Sequence, residues 1–348
     1  MKFRNKLPLI YHLRFPEFLD LEYPKETIAS CDNCTLCRSK QSPYVNTKCC
    51  SYHPHLANFL IGGVLSDPDR SLELGKYRVL EQIQNRIGVT PYGIIPGEAY
   101  QKRDKELKSR KFWDRPKALL ESLLCPYYDK GNCTVWKYRE NLCVTFFCSS
   151  TGGKSGKTFW DKVNQYLKMA ETDLSQYAML QLGWSPEKIK INSVSTSDFK
   201  LEDKEGNIIE ENYSKVWGDW VGREAEFYKK CYEIVAQVDA ITFKQITGVK
   251  REILEAAIWK TNQEFLTSLL PEKLLLNPDT VVNKSEEGYL LLNFGEVSAK
   301  IPAVIFPLIR AFNGTRTTVE IFHLGYDVLY NMSETVDELL EKGILIKV

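Results

Sequence analysis

The chain carries no surplus of charge: 46 Lys and Arg against 45 Asp and Glu leave a formal net charge of +1. A broad electrostatic grip on nucleic acid needs a clustered basic excess, so no nucleic-acid partner is expected. No apolar run approaches the ~20 residues that span a bilayer, which argues against a membrane protein. The first twenty residues interrupt their apolar stretches with Arg4, Lys6, Arg14, Glu17 and Asp20, so no secretory signal is legible and the expected location is cytoplasmic. The sequence also lacks a recognisable Ser/His/Asp set, a G-x-G-x-x-G fingerprint and a loop of the kind that binds S-adenosylmethionine. No catalytic residue is therefore legible. What is there is the composition of a folded chain, 43% hydrophobic and 26% charged, and its length suggests about two domains of ~100–200 residues each.

Cysteine is the exception to this ordinary composition. Of ten cysteines, only Cys231 lies in the last two hundred residues. The others form two groups, Cys31, Cys34, Cys37, Cys49 and Cys50, then Cys125, Cys133, Cys143 and Cys148. A chain this long does not need disulfide staples, which a reducing compartment disfavours. The run Cys31-Asp32-Asn33-Cys34-Thr35-Leu36-Cys37 spaces thiols two residues apart, which lets a tight loop aim them at one centre, as in zinc and iron–sulfur sites. The nine are therefore expected to be metal ligands, with packing as small apolar groups the alternative. That alternative is the expectation for Cys231, which lies on an amphipathic helix. His53 and His55 are the histidines near the clusters and are expected to be ordinary structural histidines.

Both groups resemble the YkgJ-type cysteine-cluster family, described as a zinc- or iron-chelating domain. The likeness rests on Cys133-Thr134-Val135-Trp136-Lys137-Tyr138-Arg139-Glu140-Asn141-Leu142-Cys143. Cys49-Cys50 followed by residues 53–60, and Phe146-Phe147-Cys148 followed by Gly156 and Phe159-Trp160, extend it over about residues 28–185. Glu140 departs from the proline common after the arginine. The resemblance implies metal chelation; nine thiols exceed the four of one structural zinc, so one or two centres are expected, with an iron–sulfur cluster placed slightly ahead of zinc. Nearby Arg38, Lys40, Lys48 and Arg139 could offset the charge of a thiolate centre. By analogy with the related flagellin lysine N-methylases, a metal-dependent activity on a protein or peptide is the alternative.

Thr151-Gly152-Gly153-Lys154-Ser155-Gly156-Lys157-Thr158 nearly matches the phosphate loop G-x4-G-K-[ST]. The first glycine of that pattern falls on Thr151, which tolerates positive φ badly. The expectation is that these glycines serve close packing of the chain instead.

The expected fold is mainly α (α+β). It comprises a loop-rich cysteine domain over residues 1–195, a helical segment over 196–275 packing on it, and a small module over 276–348. Within the first, residues 1–30 form a Pro-punctuated arm, and Leu74, Tyr77, Leu80, Ile83 and Ile87 mark a helical face. Residues 144–147 look like a short strand, and residues 159–182 read as helix stopped by Gly183 and Pro186. Residues 204–207 read as a turn. Residues 215–239 read as one long helix, with Trp217 and Trp220 either core or the frame of a pocket for Arg223 and Glu224. Another helix covers 249–270. The last part reads as a hairpin about Gly295, a helix from Pro302 through Phe312 stopped by Asn313-Gly314, a capping box at Thr317-Thr318-Val319-Glu320 and a helix carrying Val336, Leu339 and Leu340. Gly343 stops that helix, and a final strand follows. This order resembles the winged helices of PqqD-type modules, carried by residues 312–317 and 340–345. The resemblance implies capture of a peptide or protein partner along a sheet edge.

Overall fold

The computed structural model describes residues 1–26, 50–110, 115–147, 150–191, 200–203, 205–293, 296–303, 305–324 and 332–348. It is mainly α, with small antiparallel sheets, as the sequence predicts. Two large hydrophobic cores organise the described residues, one drawn from positions between Phe3 and Phe265 and one from positions between Leu274 and Leu345, beside a small cluster of Leu107, Leu120 and Leu123.

The amino-terminal arm is an irregular strap containing the short helix α1 (Pro16–Leu19). Its Phe3, Tyr11, Phe15, Phe18 and Tyr23 are buried. Phe3 stacks on Trp160 at 5.8 Å between ring centres, and Phe15 meets Tyr166 edge-on at 5.4 Å. Such offset and edge contacts are the favoured aromatic geometries and add to the burial term. The strap thus belongs to the first core.

Helices α2 (Asn58–Ser66), α3 (Glu73–Asn85) and α4 (Glu98–Ser109) follow. Strands β1 (Leu56–Ala57), β2 (Val89–Thr90) and β3 (Gly93–Ile94) form a small sheet in the order β1-β3-β2. The outward face of α3 corrects the sequence reading: Leu74, Tyr77, Leu80 and Ile87 are exposed, whereas Gly75, Val79, Gln82 and Ile83 are buried. The reason is a close approach at Gly75, where an added Cβ would lie 2.3 Å from the Thr134 carbonyl oxygen. The helix turns its smallest residue inward, and the larger apolar side chains rotate out with it.

Next come α5 (Lys117–Glu121), the hairpin β4 (Tyr128–Asp129) and β5 (Asn132–Cys133), and α6 (Asn141–Thr145). The strand expected over 144–147 is thus helical where it begins. Glu140 caps that helix, its carboxylate accepting from the Leu142 and Cys143 N–H groups, which ends the preceding extended segment. The long helix α7 (Gly153–Gln181) runs through the first core and stops at Gly183, whose φ is +83°. Pro186 then opens α8 (Pro186–Ile191). Residue 204 of the turn expected at 204–207 lies outside the described residues; beside it, Asp203 accepts from the Glu205 and Asn207 N–H groups.

The helix expected over 215–239 is two. α9 (Glu210–Trp217) and α10 (Glu224–Ala236) are separated by Gly218 and Gly222, both at positive φ. Trp217 is fully buried, and its indole N–H donates to the Val89 carbonyl at 3.3 Å. Arg223 pairs with exposed Glu226, and Glu224 accepts from the Tyr213 hydroxyl at 3.0 Å. The tryptophans therefore frame no Arg/Glu pocket; this is the core reading. α10 lies against α2 at Gly62, where a Cβ would stand 1.9 Å from the Tyr228 carbonyl oxygen. α11 (Ala240–Thr267) packs along α7 and kinks at Gly248.

The carboxy-terminal module contains strands β6 (Lys273–Leu276), β7 (Val281–Ser285), β8 (Gly288–Asn293), β9 (Glu296–Pro302), β10 (Asn313–Thr317) and β11 (Leu345–Lys347). Its helices are α12 (Phe306–Ala311), α13 (Thr318–Leu324) and α14 (Met332–Glu341). Its sheets run β7-β8-β9 and β10-β6-β11. The capping box is reciprocal: the Thr317 N–H donates to Glu320 at 2.7 Å, and the Glu320 N–H donates to the Thr317 hydroxyl at 3.2 Å. Gly343, at φ +67°, ends α14 as read. The helix expected from Pro302 starts later, because residues up to Pro302 pair with β8. The Asn313-Gly314 stop is the start of strand β10.

Candidate functional site

Cys31, Cys34, Cys37, Cys49 and Cys148 lie outside the described residues, as do Arg38, Lys40 and Lys48. Cys50, Cys125, Cys133 and Cys143 are described, each partly buried. Residues distant in sequence do meet here, for the Cys125 N–H donates to the Cys50 carbonyl at 2.6 Å. Yet among the described residues no group of three or more His, Cys, Asp and Glu side chains could hold a metal ion. This corrects the functional expectation: the reading as a metal-binding protein is overturned by the absence of such a group among the described residues, Cys50, Cys125, Cys133 and Cys143 included, and the metal-dependent protein-modifying alternative goes with it. Burial sets the ionisation of the described thiols. Desolvation pushes Cys125 up to about 12, raises Cys133 and carries Cys143 well above its ordinary value. Cys125 and Cys133 lie against the first core. Cys231 is fully buried on α10, as expected.

His53 is a structural histidine too. Its ring contacts Tyr100 and Tyr127 edge-on, its Nδ1 meets the Pro54 carbonyl oxygen at 3.0 Å, and burial pulls it down to about 4. His55 is likewise lowered, first by burial and then by Lys168.

Beside the cysteines lies a polar cluster that the sequence reading missed. Glu171 is buried on α7 and accepts from the Tyr11 hydroxyl at 2.7 Å and the Asn141 amide at 2.6 Å. Burial, reinforced by the Glu140 carboxylate, raises Glu171 to about 8. A signal existed: Glu171 stands on the stripe of Leu167, Ala170 and Leu174, all buried, where a charged residue needs partners.

The glycine-rich loop is committed to the chain's own carboxylates. Buried Glu26 accepts from the Ser150 hydroxyl, the Thr151 N–H and the Trp160 indole, each at 2.7 Å. The Lys154 N–H donates to Asp337 at 2.7 Å. At Gly156 a Cβ would fall 1.8 Å from the Ser150 hydroxyl, and at Gly152 one would fall 2.2 Å from the Phe265 ring. The glycines are packing devices, as expected.

The remaining candidate is a sheet edge. β7 pairs with β8 on one side in an unbroken register from Val281 opposite Leu292 to Ser285 opposite Gly288. In an antiparallel pair, alternate residues of an edge strand turn their N–H and C=O groups outward, ready to pair. The other edges are blunted. β9 carries a register irregularity and ends in Pro302, β10 has a shifted register against β6, and β11 is only three residues long. On β7, Val281 and Val282 are 55% and 36% exposed. Val282 stands opposite the buried Leu291, on the face where Tyr289 stacks on Phe306 at 3.9 Å.

No family model, curated protein or solved structure matches this chain. The comparisons therefore add no support to the resemblance at the cysteines, and the reading of function rests on geometry. No helix among the described residues is long and apolar enough to cross a membrane.

Proposed function

We propose that the chain is a recognition protein whose carboxy-terminal module binds an extended segment of a peptide or protein partner as an extra strand on β7. The observation that carries this reading is the regular, solvent-facing β7 edge with its two exposed valines, beside edges that are all interrupted or short. Main-chain hydrogen bonds would supply affinity, and alternate side chains of the guest, lying beside Val282 and Lys284 on one face, would supply selectivity. The likeness of residues 312–317 and 340–345 to PqqD-type winged helices points the same way.

The test is binding of an extended ten-residue peptide library with alternating apolar positions, read by calorimetry and by amide exchange on β7. Binding should slow exchange at Val282 and Lys284. Val282→Pro removes an outward N–H at the edge and should weaken binding at least tenfold, about 1.4 kcal/mol or more. Peptides that bind without protecting β7, or a Val282→Pro protein that binds as well as the parent, would refute the proposal.

A further inference from the structure

Helix α7 opens in a loop gripped from two sides. On one side the Thr151 N–H donates to Glu26 of the amino-terminal strap. On the other the Lys154 N–H donates to the carboxylate of Asp337, which belongs to α14 of the carboxy-terminal module. The approach is close enough to require glycine. Gly153 has φ +56°, and a Cβ there would stand 2.3 Å from an Asp337 carboxylate oxygen. The charge is also well placed, because the first amides of a 29-residue helix lack partners within the helix and form its positive end.

A second tie enters the same loop. The Leu270 N–H donates to the Thr151 carbonyl at 2.9 Å, while the Leu270 side chain packs on the second core. The two hydrophobic cores are separate clusters among the described residues. Between α11 and β6 the connector exposes Ser268 and Leu269. Polar contacts at the start of α7 thus link two bodies whose apolar interiors are distinct.

We propose that Asp337 is a latch: it holds the carboxy-terminal module docked on the amino-terminal end of α7, and breaking it lets the module swing about residues 268–269. This device goes beyond strand capture at β7 and stands without it. The latch can be broken from either side. Asp337→Ala removes the acceptor. Lys154→Pro removes the donor from the body while leaving the module untouched, and proline is tolerated in a first helical turn. Lys154→Ala keeps the N–H and is the control.

The experiment is cleavage of the full-length chain by thermolysin at the leucines of the connector, followed by mass spectrometry, with amide exchange on β8 reporting the module's own fold. Asp337→Ala and Lys154→Pro should each speed connector cleavage about tenfold, the size expected for loss of one charge-assisted cap. Lys154→Ala should stay within twofold of the parent, and β8 should keep its protection in all three. The latch is refuted if both disrupting variants are cleaved at the parent rate, or if Lys154→Ala loosens the connector as much as Lys154→Pro. Loss of β8 protection in Asp337→Ala would also overturn it, since Asp337 would then support the module itself.

Discussion

Replacing Glu171 by glutamine should flatten the protein's loss of stability towards alkaline pH. Glu171 is buried, so little water reaches it to solvate a charge, and the Glu140 carboxylate disfavours ionisation further; its carboxyl is held at about 8 against an ordinary 4.5. A carboxyl raised in the folded state contributes stability that is fully present below the unfolded value and is lost as pH climbs through the folded one. Across that window each pH unit removes about 1.4 kcal/mol. Between pH 5 and pH 8 the ionisation of this one group therefore costs on the order of 4 kcal/mol. Glutamine is neutral throughout and nearly isosteric. It can accept from Tyr11 or from Asn141 but presents its own amide to the other, a loss of about 1 kcal/mol. The variant should thus be slightly less stable than the parent at pH 5 and more stable by roughly 2–3 kcal/mol at pH 8. Urea midpoints at pH 5, 6, 7 and 8, with the denaturant slope unchanged, measure the difference, and comparison with the parent cancels other groups, including raised Glu26. Parent and variant lines that run parallel within about 0.5 kcal/mol across the series would refute the assignment of a protonated, buried Glu171.

Gly62→Ala should be among the most damaging single-methyl additions, costing about 3 kcal/mol or more in thermal unfolding. The new carbon meets rigid backbone at Tyr228 and must push α2 from α10. Gly156→Ala meets the movable Ser150 hydroxyl and should cost less, about 1–3 kcal/mol; an unchanged melting temperature would undo the packing account of the glycine-rich loop. Cys231 should resist a thiol reagent in the native protein and react only at the rate of global unfolding, because it is fully buried and its thiol is raised well above the ordinary value. Trp217→Ala should cost about 3–5 kcal/mol and blue-shift little of the remaining fluorescence; a cost below 1 kcal/mol would mean the indole is not part of the core.

The elements that were legible are those whose code is local. The capping box at Thr317 and Glu320, the stop at Gly183 and the hairpin of β8 and β9 each depend on a few adjacent residues. Elements that depend on distant partners were not. β10 reads as a helix stop because Asn313-Gly314 is turn chemistry, and its pairing with β6 comes from residues some forty positions away. Residues 144–147 read as a strand because Val, Thr and Phe favour one, but Glu140 supplies a cap that starts a helix instead. On α3 the periodicity was correct and the phase was not: counting apolar side chains favours the face of Leu74 and Tyr77, whereas the close approach at Gly75 favours the opposite one.

From its residues alone this chain could be assigned a mainly helical fold, a buried Cys231 and glycines used for packing. Composition, periodicity and capping carry that information because they act within a turn or two of the backbone. Tertiary structure decided how Cys125, Cys133 and Cys143 are desolvated, which carboxylate must keep its proton, and that Asp337 meets the start of α7 across 183 residues. Ligation, burial and docking depend on where side chains from distant segments end up, and spacing along the chain does not specify that distance.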